Sequence, residues 1–262
     1  MIDLHSHLDD KAFEKDLDLV LDRALKIGLK KIVCPSVSFD SIEKVFNICR
    51  NYEFVHPMIG IHPHEAKNID FNELEAKLTK FIEKFKENNI KVIGIGEIGL
   101  DYFYDLPFRK EQIELLEREL NIAEKLKLPV VLHIRDAFDD IFSIIRSFPK
   151  IPQFIWHSFS GNLEEGRKFL DIGGFLSFSG MITFKNNENL RQVVLKFMPL
   201  DKIFLETDAP YLTPEPFRGR RNEPKEVKII YQKVCELKNI EMESLENIIE
   251  NNFRNVFQHL LK

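Results

Sequence analysis

Two pairs of histidines in this 262-residue chain have a spacing that suits metal binding. His5 and His7 flank one serine, and His62 and His64 flank Pro63 in the segment GIHPHE. Side chains two residues apart in a strand point to the same face, so His5 and His7 can reach one ion. Pro63 predicts a turn, where a shared direction is less certain. Surface or capping histidines are the alternative for either pair.

Four further side chains could join the first pair. Glu97 lies among glycines in VIGIGEIGLDY, and a buried carboxylate is costly unless it is paired or binds a metal. A helix cap or a salt bridge is the alternative for Glu97. His133, His157 and Asp208 each follow an apolar run, and Asp208 does so in FLETDAPYLTP. Each of them alone could be an ordinary core or loop residue.

The elements that must position these side chains are eight short apolar runs separated by amphipathic stretches. Such alternation predicts parallel strands joined by helices, and eight units predict an α/β fold of the (β/α)8 TIM-barrel type, with residues 1–262 as a single domain. A doubly wound open sheet is the alternative. Stretches near Lys225–Leu237 and Met242–Leu261 predict extra C-terminal helices. The runs are Ile2–Leu4, Lys31–Cys34, Val55–Ile61, Lys91–Ile95, Pro129–Leu132, Gln153–Trp156, Gly174–Phe178 and Lys202–Leu205.

The metal-competent side chains fall at the carboxyl ends of five predicted strands, which meet on one face of a barrel. Four imidazoles and two carboxylates suit zinc, manganese or iron better than an all-oxygen magnesium cage. They also exceed what one tetrahedral ion needs, so we expect two divalent ions bridged by a carboxylate. The predicted ligands are His5, His7, Glu97, His133, His157 and Asp208.

A cluster of arginines follows Asp208, in PEPFRGRRNEP. Guanidinium groups match phosphate geometry, so Arg218, Arg220 and Arg221 are candidate phosphate contacts. In the alternative, the loop is exposed and its arginines pair with neighbouring glutamates. Tyr102, Tyr104 and Tyr211 are candidates for base stacking, whereas His259 is expected to be structural.

Composition excludes several classes of protein. Three widely spaced cysteines without a CxxC pair argue against a disulfide framework or a cysteine zinc site and predict a cytoplasmic location. No apolar run approaches the roughly 18 residues of a membrane-spanning helix. The net charge of -5 gives no general attraction to nucleic acid, so a polyanionic substrate needs local positive charge or bound metal.

In order and approximate spacing, the motifs resemble those of the TatD-type metal-dependent deoxyribonucleases. The resemblance extends from Asp3 to about Arg221, and an N-x-x-x-x-F pattern follows at Asn252 and Phe257. Its motifs are DLHSHLD, GIHPH, GEIGLDY, LPVVLHIRDA, HSFSG and ETDAPYLTPEPFRGRRNEP.

The resemblance implies a barrel hydrolase with two divalent ions. The positions that match the family's first ion site are His5, His7 and Asp208. His133 and His157 match the second site, and Glu97 matches the bridging carboxylate. His62 or His64 would lie near the substrate phosphate.

Two departures from the family pattern involve residues that are not among the predicted ligands. Ser158 stands where a cysteine is common, and Leu116 and Glu119 stand where phenylalanine and glutamine are frequent. Glu119 would add negative charge to its helix. Related amidohydrolases often use a carboxylated lysine as the bridge, so Glu97 favours the TatD-like group.

The chemistry expected from these residues is metal-assisted hydrolysis of DNA phosphodiesters, as in an exonuclease. Two ions, zinc, manganese or magnesium, would lower the pKa of a water, and Asp208 would take its proton. Hydrolysis of an ester, lactone or amide, including deacylation of aminoacyl-tRNA, needs the same groups and is the alternative. A non-catalytic metal-binding protein is the second alternative.

Overall fold

The computed structural model describes residues 1–103 and 108–257, so Tyr104 and His259 lie outside the described residues. Eight parallel strands form one sheet in chain order, from β1 to β8. This order, with helices between the strands, confirms the predicted (β/α)8 TIM-barrel fold with extra C-terminal helices. The strands are β1 Ile2–Asp3, β2 Lys31–Pro35, β3 Val55–Ile59, β4 Gly94–Asp101, β5 Val130–Arg135, β6 Phe154–Trp156, β7 Phe175–Phe178 and β8 Ile203–Leu205.

The helices follow from amphipathic periodicity and from polar residues at their starts. The Asp70 side chain accepts a hydrogen bond from the Asn72 N–H at the start of the helix Phe71–Glu87. Asn162 forms a capping box with Glu165 at the start of the helix Leu163–Asp171. The helices are α1 Leu17–Lys26, α2 Phe39–Asn51, α3 Phe71–Glu87, α4 Arg109–Leu126, α5 Phe138–Ile145, α6 Leu163–Asp171, α7 Glu188–Lys196, α8 Val227–Lys238 and α9 Met242–Phe257. In the described part of the chain, none of them is long and apolar enough to cross a membrane.

The fourth strand differs most from its prediction. It was expected at Lys91–Ile95, with Glu97 beyond its end, but β4 begins at Gly94 and continues to Asp101, so Glu97 lies inside it. The register against β5 shifts between Ile95 and Ile98. A β-carbon at Gly99 would lie 1.9 Å from the His133 carbonyl oxygen, and Gly99 has a φ of 150°. Glycine at this position therefore allows the close approach of β4 to β5.

Contacts divide the chain into two compact units. Unit 1 comprises Met1–Cys34 and Ser158–Asn255, and unit 2 comprises Pro35–His157 with Val256 and Phe257. In each unit, large aromatic side chains are almost fully buried. They include Phe13, Phe159, Phe178, Phe204 and Tyr231 in unit 1, and Phe85 and Trp156 in unit 2.

The C-terminal helices hold the strands of unit 1 by side-chain hydrogen bonds. The Tyr231 hydroxyl of α8 accepts from the Ile2 N–H and donates to the Ile2 carbonyl, both at 3.0 Å. The Asn252 amide of α9 donates to the carbonyls of Leu200 and Ile203, both at 2.9 Å. Asn252 thus ties α9 to the start of β8, which accounts for the asparagine of the N-x-x-x-x-F pattern.

Candidate metal centre and active site

In unit 1, the structure brings together three of the six predicted ligands. The Nε2 atoms of His5 and His7 lie 3.2 Å apart. Oδ1 of Asp208 is 3.4 Å from Nε2 of His7 and 3.8 Å from Nε2 of His5. All three residues are at most 9% exposed. Two imidazoles and one carboxylate at this spacing can face a single cation.

The backbone fixes the direction of these side chains. The Asp208 N–H donates to the His5 carbonyl at 2.9 Å, and the His7 N–H donates to the Ala209 carbonyl at 2.8 Å. Asp208 has a φ of 56°, in the left-handed region that non-glycine residues rarely adopt. Strained backbone of this kind persists where surrounding contacts hold it, and it is concentrated at functional sites.

Hydrogen bonds of Asp3 support the backbone next to His5 and Asp208. Its carboxyl group accepts hydrogen bonds from the Thr207 N–H at 2.8 Å and the Thr207 hydroxyl at 2.6 Å. Complete burial raises the pKa of Asp3 well above its ordinary value. The Asp3–Thr207 hydrogen bonds therefore link the end of β1 to the segment that follows β8. They do so just before His5 in one segment and Asp208 in the other.

In unit 2, Glu97 lies among three imidazoles. Its Oε1 atom is 2.7 Å from Nδ1 of His133, 2.9 Å from Nε2 of His157 and 3.6 Å from Nε2 of His62. Glu97 is 3% exposed. His62, Glu97 and His133 each offer one ligand atom within 4.8 Å of the other two. The structure thus brings the other three predicted ligands together and adds His62, which was predicted to contact substrate.

Sequence reasoning did not identify Asp101, the last residue of β4, as part of this site. Its Oδ2 atom accepts hydrogen bonds from Nε2 of His64 at 2.9 Å and from Nε2 of His133 at 3.0 Å. Burial opposes ionisation of Asp101, but the bonds from His133 and His64 prevail and lower its pKa below the ordinary value. The signal in the sequence was its spacing of four residues from Glu97, since even spacings in a strand share a face.

Helix α4 holds Asp101 in place. Gln112 accepts from the Asp101 N–H at 2.9 Å and donates to the Asp101 carbonyl at 3.1 Å. Both Asp101 and Gln112 are about 1% exposed. This pair of bonds gives Gln112 a positioning role for the carboxylate.

The ring of His133 presents one nitrogen to each carboxylate of this group. Nδ1 faces Glu97 and Nε2 faces Asp101. Burial acts to lower the pKa of His133, but the two carboxylates raise it above its ordinary value. Histidines that ligate a metal commonly donate their other N–H to a carboxylate, which fixes the ring. His133 has this arrangement, with Nδ1 toward Glu97 and Asp101 behind it.

The arginine loop divides into two kinds of side chain. Arg221 forms an ion pair with both oxygens of Asp16 at 2.7 Å and with Glu223 at 3.0 Å. Arg218 and Arg220 are exposed, and their guanidinium groups lie over the rings of Phe184 and Phe217, at 4.2 and 5.6 Å. Arg221 is thus paired with carboxylates, whereas the guanidinium groups of Arg218 and Arg220 lie over aromatic rings.

Glu119 does not face solvent. It is fully buried, and its Oε1 atom accepts from the Ile61 N–H at 2.7 Å, just before His62. Its Oε2 atom has no hydrogen-bond partner in the described part of the chain. Burial therefore raises the pKa of Glu119 well above its ordinary value. This carboxyl group holds the segment that carries His62 and His64.

Ser158, the other departure from the family pattern, supports the turn that follows His157. It has a φ of 43°, its N–H donates to Glu206 at 2.7 Å, and its hydroxyl lies 2.9 Å from that of Ser179. The serine thus makes hydrogen bonds within unit 1, next to a predicted ligand in sequence.

Comparison with known proteins agrees with the donor sets. A family profile described as "TatD related DNase" matches residues 2–258. YabD of Bacillus subtilis, named an uncharacterized metal-dependent hydrolase, is 34% identical over 259 residues that cover 98% of this chain and 99% of the relative. Another relative with that description, YcfH of Escherichia coli, is 31% identical over 98% of this chain and 95% of its own length.

Solved structures give the same result for the fold. The crystal structure of YjjV, a TatD homologue from Escherichia coli, aligns with a TM-score of 0.91 and 30% identity over 98% of both chains. A TatD family hydrolase from Entamoeba histolytica aligns with a TM-score of 0.88 at 23% identity, over 98% of this chain and 97% of the other. The second match, at its lower identity, supports the fold alone.

Proposed function

Because this chain belongs to the TatD related DNase family of metal-dependent hydrolases, we propose that it is a deoxyribonuclease, acting as an exonuclease, that hydrolyses DNA phosphodiester bonds. The observation that carries the proposal is Glu97, a buried carboxylate with the rings of His62, His133 and His157 at 2.7–3.6 Å. Three imidazoles around one buried carboxylate are a costly arrangement that a bound cation would stabilise.

The donor set of each unit fits a divalent cation. In unit 1 the ligands are His5, His7 and Asp208. In unit 2 they are Glu97, His133 and His157. Imidazole and carboxylate donors suit zinc or manganese, and magnesium takes the carboxylates most readily. When bound, such ions supply an acidic water and stabilise negative charge on phosphoryl oxygens.

The remaining chemistry falls to side chains. Asp208 accepts a proton from the attacking water at its carboxylate, for which its strained backbone holds it in one direction. His64, whose side chain is 40% exposed, is placed to contact the substrate phosphate and is held by Asp101. Arg218 and Arg220 hold the DNA backbone, since the rest of the acidic protein offers it little attraction.

A direct assay tests the proposal. Purified protein loaded with manganese, zinc or magnesium is incubated with single-stranded DNA, an aminoacyl-tRNA and a simple ester, each with and without chelator. We expect metal-dependent release of nucleotides from DNA and none after chelation, with activity restored by added metal. Preferential hydrolysis of the aminoacyl bond or the ester would replace the nuclease with an esterase or deacylase. Full activity in rigorously metal-free protein would overturn metal dependence.

A further inference from the structure

An exposed aromatic ring follows β4 next to the Glu97 group. Phe103 is 53% exposed. The guanidinium carbon of Arg135, the last residue of β5, lies 3.6 Å from the centroid of its ring. A guanidinium at this distance covers one face of the ring in a cation–π contact. The pair is therefore a flat, positively charged surface that reaches solvent.

Hydrogen bonds tie this pair to the candidate metal centre. The Phe103 N–H donates to Oδ1 of Asp101 at 3.1 Å, while Oδ2 of the same carboxylate accepts from His64 and His133. In the strand register, Asp101 lies opposite Arg135. His133 and Arg135 are two residues apart in β5 and so point to the same face. The Asp101 carboxylate thus bonds both to the Phe103 backbone and to His133, a predicted metal ligand.

The neighbouring tyrosine does not provide such a surface. Tyr102, expected from the sequence to be a stacking residue, is only 9% exposed. Its hydroxyl donates to Asp140 at 2.8 Å, and the Arg109 guanidinium lies 4.2 Å from its ring centroid. Tyr102 is therefore packed into unit 2, whereas the Phe103 ring is exposed.

We propose that Phe103 and Arg135 bind an unpaired nucleobase of the substrate next to the bond that is cleaved. The base stacks on the exposed surface of the Phe103 ring, and Arg135 holds the ring and places positive charge near the adjacent phosphate. The inference rests on the proposed nuclease function and adds two residues that hold the substrate at the same site.

The test compares two substrates that differ only in their bases. One is a single-stranded oligonucleotide, and the other carries abasic residues at its terminal positions. Phe103→Leu keeps apolar volume but removes the aromatic face, and it should raise KM for the first substrate about tenfold with little change in kcat. On the abasic substrate its KM should equal that of the wild-type protein. Phe103→Trp should restore the wild-type KM, and Arg135→Gln should raise KM on both substrates because it also removes charge.

A matched control is Phe142→Leu on α5. The Phe142 ring also contacts a guanidinium, that of Arg146 at 5.7 Å, but both residues belong to the α5 segment rather than to the β4–β5 edge. This variant should leave KM unchanged for both substrates. Equal effects of Phe103→Leu on the two substrates, or no effect on either, would overturn the stacking surface.

Binding separates this proposal from the proposed function. In an Asp208→Asn background, where cleavage should be at least about a hundredfold slower, fluorescence anisotropy measures the affinity for a labelled single-stranded oligonucleotide. Phe103→Leu should weaken this binding about tenfold and leave binding of the abasic oligonucleotide unchanged. If the wild-type protein fails to cleave DNA but this selective loss is seen, the nuclease proposal fails and the stacking surface stands. If DNA is cleaved and no selective loss is seen, the reverse holds.

Discussion

Asp101 and His133 are joined by a 3.0 Å hydrogen bond between Oδ2 and Nε2, while the other ring nitrogen of His133 faces Glu97. Through this bond the buried Asp101 carboxylate orients the His133 ring, whose Nδ1 atom faces the candidate metal site at Glu97. The Asp101 backbone is held by Gln112, and Oδ1 of the Asp101 carboxylate accepts a hydrogen bond from the Phe103 N–H. Asp101 therefore connects His133, a predicted metal ligand, with Phe103, the residue proposed to contact substrate.

Replacement of Asp101 should weaken metal binding without unfolding the protein. Asp101→Asn keeps the size of the side chain but lets the ring of His133 reorient, and the loss of such partners typically lowers metal affinity about 10–100-fold. Titration of the metal-free protein with manganese or zinc measures the change. Asp139→Asn, at an exposed position of α5, is the matched control and should bind metal as the wild type does. Unchanged affinity in Asp101→Asn would remove Asp101 from the metal site.

Asp208→Asn separates proton transfer from folding. Asparagine keeps one oxygen that can face an ion, so the fold should survive, but it cannot take a proton from water. Removal of a positioned base typically costs about 10²–10⁴ in rate. We expect hydrolysis of DNA at least about a hundredfold slower, with DNA binding retained and the loss persisting at saturating metal. Near-normal turnover in excess metal would make Asp208 a ligand only, and His62 and His64 would be the next candidates for the base.

The buried carboxyl group of Glu119 should make the stability of the folded protein depend on pH. Because its pKa is raised in the folded protein, the folded state keeps a proton that the unfolded chain releases above about pH 4.3. Its contribution to stability is therefore full below that pH and is lost as the pH rises toward the folded-state pKa. Glu119→Gln keeps an oxygen for the Ile61 N–H and never ionises, so it should be more stable at pH 8.

Thermal unfolding at two pH values measures this effect. Each kcal/mol gained should raise Tm by roughly 2–4 °C for a domain of this size. The advantage of Glu119→Gln should shrink toward pH 4, where the glutamate is protonated in both states. Glu117→Gln, on the exposed surface of the same helix, is the control and should show no such trend. An advantage that grows toward acid pH would contradict the prediction.

The arginines of the loop should separate in their effects on DNA binding. Arg218→Gln and Arg220→Gln should each make the salt dependence of binding to single-stranded DNA shallower by about 0.7 in log–log slope, since each phosphate contact releases counterions. Arg221→Gln should leave that slope unchanged, because Arg221 is paired with Asp16 and Glu223. Its cost should instead be up to about 1 kcal/mol of unfolding free energy, as for partly exposed ion pairs. A shallower slope for Arg221→Gln alone would reverse this assignment.

Much of the fold could be predicted from the sequence because each strand is a short apolar run bounded by polar or turn residues. β4 was the exception, since the glycines of GIGEIG have low strand propensity and only pairing with β5 makes them a strand. Asp101 was missed for the same reason, as it lay beyond the predicted end of that strand. The ion pair of Arg221 with Asp16 joins two residues that are 205 positions apart in the chain, so no local sequence pattern could predict it.

The hydrogen bonds between Asp208 and His5 and between Ala209 and His7 have a consequence for the order in which the molecule can be made. The two histidines leave the ribosome about 200 residues before their partners. At roughly 5–20 residues per second, that interval lasts on the order of 10–40 s. The group of His5, His7 and Asp208 can therefore form only after Asp208 has left the ribosome, long after the two histidines have been made.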